Sequence, residues 1–251
     1  HFRRAAEKVN TTQPTLSGQL KTLEERLGVA LVERSRSRVV LTQAGAEIVD
    51  IARRILHDVR EIRAIATAHD AKLSGVVRLG VPSSIGPYLV PKIVPDLRRE
   101  YPDLKFYVRE ELSQKLPAAL SSGMFDVIIA PLPIVAPGLQ TADLYTEPFS
   151  LVLPAQHPLA RKATITGADL KGLSLLMLGA WHPLHDLVFD YARRHGGSIN
   201  REFEGTSLDT LREMVSTGLG AALLPALYVR ANQLTKDRTV KGVPLQQKPL
   251  S

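Results

Sequence analysis

The chain of 251 residues contains no cysteine, a single tryptophan and three methionines. Without a thiol it has no thiolate nucleophile, no disulfide and no cysteine ligand for a metal. It also lacks an apolar run long enough to span a bilayer and a secretory leader pattern, which points to the cytoplasm. There is no glycine-rich phosphate loop, no GxSxG elbow and no HExxH pair, so no enzyme class is signalled and no cofactor is implied. Internal repeats and low-complexity tracts are absent as well.

What is present begins with charge. The formal net charge is +7, and residues 1–42 hold eight Lys or Arg against four Glu. More than half of the excess therefore falls in one sixth of the chain, which favours approach to a polyanion. Within this region, Leu16, Leu20, Leu23 and Leu27 recur at spacings of four, three and four, predicting a helix with a leucine stripe for burial. Thr12 is placed to cap it, and Pro14 falls in the first turn, where an N–H has no intrahelical partner. The other face carries Thr15, Ser17, Gly18, Lys21 and Thr22, short polar groups and one cation suited to a DNA groove, and Gln13 and Pro14 at the helix start are further DNA-binding candidates. A short amphipathic helix over Phe2 to Val9 precedes it across Asn10-Thr11, as in a helix-turn-helix.

Two apolar runs then flank Arg34, Arg36 and Arg38, predicting a winged hairpin. Alternation with Ser35 and Ser37 aims the three guanidinium groups one way, toward phosphates or a minor groove. Taken alone, the stripe and hairpin fit an ordinary amphipathic helix and a solvated turn equally well; their succession favours DNA. The chain opens in mid-motif at His1-Phe2-Arg3, so a preceding helix is expected.

From Gln43 the pattern changes. Ile48, Ala52, Ile55, Val59, Ile62 and Ala66 follow a 4-3-4-3-4 spacing, a heptad seam on a long helix. A seam this narrow is half exposed in a monomer, so a second copy of the chain is its natural partner. Packing on the helix's own domain is the alternative. Lys72 to Gly75 reads as a hinge.

The remainder alternates strands and helices. Strands are predicted over Val76 to Val81, Leu104 to Glu110 and Phe125 to Leu132, with helices from near Ile85 and over QKLPAALSSG. A second set follows: Leu173 to Leu178, a helix from about His182 to His195, REFEG, a helix over SLDTLREMVSTG, and Ala221 to Pro225. Short strand-to-helix steps predict two α/β lobes with parallel pairing.

HFRRAAE, QPTLSGQ, LGVALVER, LTQAG, GPYLVP, LLML, TSLDTLR and ALLPAL, spread over nearly the whole chain, resemble the LysR-type transcriptional regulators, and most of all their OxyR-type peroxide-sensing branch. The resemblance implies a multidomain α+β and α/β protein. Its parts are a winged helix-turn-helix over 1–42, a linker and dimerisation helix over 43–73, and a two-lobed, periplasmic-binding-protein-like effector domain over 74–251. Crossing strands are expected near Phe149 to Leu153 and Val240 to Leu245, assigning 74–148 and 240–251 to lobe I and 149–239 to lobe II. The family normally continues past that point, so the end at Ser251 is expected to be a truncation. Implied partners are a double-stranded DNA operator, a small-molecule effector and further copies of the chain as homodimer or homotetramer, with RNA polymerase a further partner that the family allows.

Helix starts facing a cleft between lobes single out Ser83, Ser84, Thr206 and Ser207, with Trp181 and His182 beside them, as an effector site; a small organic acid heads the candidate ligands. The alternative is that the serine and threonine pairs are ordinary helix caps. The peroxide-sensing branch carries a reactive cysteine after LLML and a resolving cysteine further on; here Pro183 and Ala192 fall at those positions. Thiol switching does not transfer to this sequence. Oxidation of Met124, Met177 or Met214 is a thiol-independent alternative, although their apolar surroundings suggest packing. His182 and His185 are too few to define a metal site, and none is expected. A two-lobed solute-binding protein is the rival from another class, disfavoured by the arginine wing and the heptad helix.

Overall fold

The computed structural model describes residues 2–34, 39–67, 73–134, 136 and 138–246, leaving out the side chains of residues 34, 60, 61 and 63–67. The chain divides into two compact units, one over His1–Ala71 with Ser121–Met124, the other over Lys72–Leu120 and Phe125–Ser251.

The first unit opens with α1 (Phe2–Lys8) and α2 (Gln13–Leu27), joined through Asn10 at φ 51°. Both ends of α2 are fixed locally. The Thr12 hydroxyl accepts from the Thr15 N–H at 3.4 Å, and Gly28 closes the helix in the left-handed region at φ 67°. Glu24 reaches from α2 to accept the N–H groups of Leu31 (2.8 Å) and Val32 (3.1 Å), which ties the helix to the hairpin. The hairpin pairs β1 (Val32–Arg34) antiparallel with β2 (Val39–Leu41), with Arg34 opposite Val39. Arg36 and Arg38 lie outside the described residues, and so does the side chain of Arg34. Thr42 then donates to Ala30 O (2.7 Å) and accepts from Gly45 N (2.9 Å), starting α3 (Gln43–Thr67). A Cβ at Gly45 would collide with the Leu31 carbonyl, so only glycine permits this close approach.

The leucine stripe of α2 is less buried than its spacing predicts. Leu16 and Leu20 are half-buried, but Leu23 and Leu27 are 44% and 48% exposed. Among the described residues, none of the four leucines is fully buried, and the preceding helix α1 is only seven residues long.

The second unit has two sheets. The smaller is parallel, in the order β4-β3-β5, from β3 (Gly75–Val81), β4 (Leu104–Glu110) and β5 (Val127–Ile128). Helix α4 (Gly86–Glu100) joins β3 to β4, and the short α5 (Leu116–Ser121) follows β4. The strand expected over Phe125 to Leu132 shrinks to two paired residues; Pro131 and Pro133 have no N–H for a ladder.

The larger sheet is β10-β6-β9-β7-β8, from β6 (Phe149–Pro154), β7 (Ser174–Leu178), β8 (Ser198–Gly205), β9 (Ala221–Pro225) and β10 (Val240–Pro244). Its centre is buried on both faces, which is why its strands read as unbroken apolar runs. Leu151, Leu153, Leu175, Met177 and Leu223 face α6 (Leu184–Arg194), while Val152, Leu176, Leu178 and Leu224 face α7 (Leu208–Ser216) and α8 (Ala226–Ala231). Strand β10 corrects the lobe assignment. It pairs antiparallel with β6 from Val240↔Pro154 to Pro244↔Ser150, so 240–244 belongs to the second lobe and not the first. Burial of Val240 and Val243, and the seating of Gly242 on Val229, hold it there. The lobes also meet where Tyr88 of α4 packs edge-on against Tyr228 of α8 at 5.2 Å.

Candidate functional site

In the first unit, the outer face of α2 is open. Thr12, Gln13, Pro14, Thr15 and Lys21 are exposed and Ser17 is half-buried, while a Cβ at Gly18 would meet nothing within 4 Å. Pro14, Ser17, Gly18 and Lys21 share the face away from the leucines. Thr15 is partly committed elsewhere, because its hydroxyl pairs with that of Thr12 at 2.7 Å as part of the cap. Lys21 lies 3.7 Å from Glu25, an exposed pair weak enough to yield to a phosphate.

Along α3, Ile55 (57% exposed) and Ile62 (66%) stand open, as do Ala52 and Val59, with Ile48 half-buried; the side chain of Ala66 is not described. Ile51 and Leu56 are exposed too. Both flank the seam at 3.6-residue spacing and widen it into a broad apolar face that heptad counting alone does not reveal.

The second unit contains a cavity of about 250 Å3 at the carboxyl ends of three strands. Pro82 and Ser83 follow β3, Glu110 ends β4 with Glu111 to Ser113 just after it, and Trp181 to Pro183 follow β7. This is where open α/β sheets gather ligands, since strand ends leave polar groups and helix starts unpaired. Ser83, Trp181 and His182 are thus brought together. Ser84 sits in the adjoining turn, buried, and does not line the cavity. Thr206 and Ser207 do not line it either. Ser207 caps α7 by accepting from Thr210 N at 3.1 Å, and Thr206 contacts the Thr210 hydroxyl, so the simple capping reading describes this pair.

His182 is buried, and burial alone pushes its pKa down to about 4. Its Nδ1 accepts from Leu184 N at 3.1 Å, which places the proton of the neutral ring on Nε2. The unfolded chain takes up this proton below about pH 6.5, whereas the folded ring stays neutral to about 4. Stability is therefore expected to fall as pH drops through that window. In His182→Asn this component should vanish, flattening the melting temperature between pH 6.5 and 4 relative to the parent. Parallel curves for the two proteins would contradict the burial of a neutral ring.

Trp181 is 41% exposed and lies edge-on to His182 at 5.5 Å. Its carbonyl accepts from Gln114 Nε2 at 3.2 Å, linking the loops after β7 and β4. Gly179 makes room for this fold-back, since a Cβ there would strike Trp181 Nε1 and Glu204 Oε1. His185 turns toward Asp186 (2.8 Å) and stacks on Phe189. Among the described residues, no group of three or more His, Asp or Glu side chains is placed to hold a metal.

Pro183 precedes α6 as its cap, and Ala192 is fully buried in the core. Both positions are thus taken by backbone and packing roles. Met177 is likewise in the core and Met214 packs against its other half, while Met124 is half-buried.

Two family profiles match the chain: "Bacterial regulatory helix-turn-helix protein, lysR family" over residues 1–46 and "LysR substrate binding domain" over 70–251. The DNA-binding transcriptional dual regulator OxyR of Escherichia coli K12 is 40% identical over 229 residues, covering 91% of this chain and 75% of the relative. The hydrogen peroxide-inducible genes activator of Haemophilus influenzae is 36% identical over 244 residues, covering 97% and 79%. Among solved structures, a full-length OxyR variant from Pseudomonas aeruginosa superimposes with a TM-score of 0.80 at 36% identity, covering 99% of this chain and 80% of that one. A peroxide-bound OxyR mutant of Corynebacterium glutamicum gives 0.67 at 32% identity, covering 98% and 77%.

Proposed function

The chain belongs to the LysR family of bacterial helix-turn-helix regulators, and from that premise we propose how its own residues serve DNA, assembly and effector. It is a DNA-binding transcriptional regulator with an effector-binding domain, not an enzyme. Helix α2 enters the major groove with Pro14, Ser17 and Lys21 outward and Gln13 exposed at its first position, and Thr12 and Thr15 fix its first turn. Arg34, Arg36 and Arg38 engage the backbone and minor groove from the hairpin. The α3 face of Ile48, Ala52, Ile55, Val59, Ile62 and Ala66 joins two copies, broadened by Ile51 and Leu56.

The effector binds non-covalently in the cavity between Ser83 and Trp181-His182, with Ser84 supporting the Ser83 turn. Its binding shifts the lobes and so the spacing of the DNA-binding heads. The relatives include a hydrogen peroxide-inducible genes activator and a peroxide-bound OxyR, but the 251 residues here contain no thiol to oxidise. Met177 is buried in the core and Met214 packs against it partly buried, which does not favour methionine oxidation in its place. No described helix is long and apolar enough to cross a membrane, and the regulator works in the cytoplasm, where its DNA is.

The observation that carries the DNA-binding assignment is the open outer face of α2, where Gly18 leaves space beside Lys21. The test is binding to a duplex selected from a random pool, compared with arbitrary duplex. Gln13→Ala should cost about 1–3 kcal/mol on the selected duplex and little on the arbitrary one. Equal losses on both would remove the groove-reading role of α2.

A further inference from the structure

We propose that the effector cavity takes a small organic cation, a guanidinium or primary ammonium, and rejects carboxylates. This rests on the assignment of that cavity as the effector site and adds the chemical class of its ligand. The wall between Ser83 and Trp181 is built from two adjacent carboxylates, Glu110 and Glu111, and among the described residues no Lys or Arg side chain lines the cavity.

The two carboxylates differ in state. Glu111 is already engaged: it pairs with Arg109 at 3.5 Å and accepts from Leu112 N at 3.1 Å. Glu110 has no ion pair among the described residues and lies against Gly86 at the first turn of α4. The positive end of α4 would ordinarily attract an anionic ligand. Here a full negative charge carried by the chain stands beside that end, and it outweighs the roughly half charge of a helix terminus. A carboxylate ligand would meet like charge; a cation would complete the pair.

The opposite wall suits the same ligand. Trp181 is the most favourable aromatic face for a cation, and as an exposed side chain at the cavity it is available for that contact. His182 is neutral, with a pKa of about 4, so it adds no repulsive charge. A guanidinium between Trp181 and Glu110 would stack on one wall and donate a charge-assisted hydrogen bond to the other. At about 250 Å3 the cavity admits a compact molecule of this kind.

Trp181 is the only tryptophan in the chain, so its fluorescence reports this cavity alone. The experiment titrates the full chain with methylguanidinium chloride at constant ionic strength, with sodium propionate as the anionic probe. Saturable change in Trp181 emission is expected with methylguanidinium and none with propionate. Glu110→Gln should weaken methylguanidinium binding at least about tenfold, the scale of one charge-assisted hydrogen bond, while leaving duplex DNA binding intact. Trp181→Leu provides a second readout, loss of the melting-temperature rise that methylguanidinium gives the parent. A saturable response to propionate that persists in Glu110→Gln would overturn the cationic class while leaving the cavity as effector site. Silence toward both probes, or methylguanidinium binding indifferent to Glu110→Gln, would overturn the proposal outright. Failure to bind duplex DNA would instead count against the regulator reading.

Discussion

Replacing both Ile55 and Ile62 by Asp is expected to separate the regulator into monomers and to weaken operator binding by roughly 10²–10⁴-fold, the scale on which linking two binding heads raises avidity. Without the link, an intramolecular second contact becomes a bimolecular one. The side chains are 57% and 66% exposed in the single chain, so the substitutions leave the monomer's own packing alone. In the assembled protein they would bury like charges across the seam without counter-ions. Light scattering should report the mass of one chain, with far-ultraviolet circular dichroism unchanged. An intact parent mass would mean that another surface joins the copies.

The second large effect concerns the hairpin. Arg34, Arg36 and Arg38 alternate with Ser35 and Ser37 in the sequence, a spacing suited to successive phosphates. Changing all three to Ala should weaken binding to every duplex alike. It should also reduce the slope of log affinity against log salt by about 2.7, roughly 0.9 for each phosphate that is no longer neutralised. A binding loss confined to one sequence, with the salt slope preserved, would assign these residues to base reading.

How far the sequence foretells these features depends on how local their causes are. The bounds of α2 are legible because Thr12 and Gly28 fix its ends through partners a few residues away. The larger sheet is legible because its strands are buried on both faces and therefore uninterrupted in hydrophobicity. Strand β10 is misassigned by sequence reading because it pairs with β6, far earlier in the chain, and nothing in Val240–Pro244 itself names that partner. Ser83, Trp181 and His182 stand out since strand-to-helix junctions mark themselves by composition. Glu110 and Glu111 do not. They become cavity walls only because β4 pairs in register beside β3, placing Glu110 opposite Val81. Ser207 misleads for the converse reason: a helix cap and a ligand-binding hydroxyl have the same local pattern, and only the fold separates them. The exposure of Leu23 and Leu27 likewise depends on what covers the stripe, which the stripe does not encode.

This chain keeps the DNA-binding and effector architecture of a LysR regulator, and its proposed switch is non-covalent. The most direct measurement is fluorescence anisotropy of a selected operator duplex bound to the full chain, before and after hydrogen peroxide at a dose that oxidises a protein thiol, and then after reductant. Affinity and salt dependence should be the same in all three states, because no cysteine is present and thioether oxidation by peroxide is slow unless the site is activated. A rapid change in operator affinity on peroxide addition that reductant reverses would contradict a non-covalent switch.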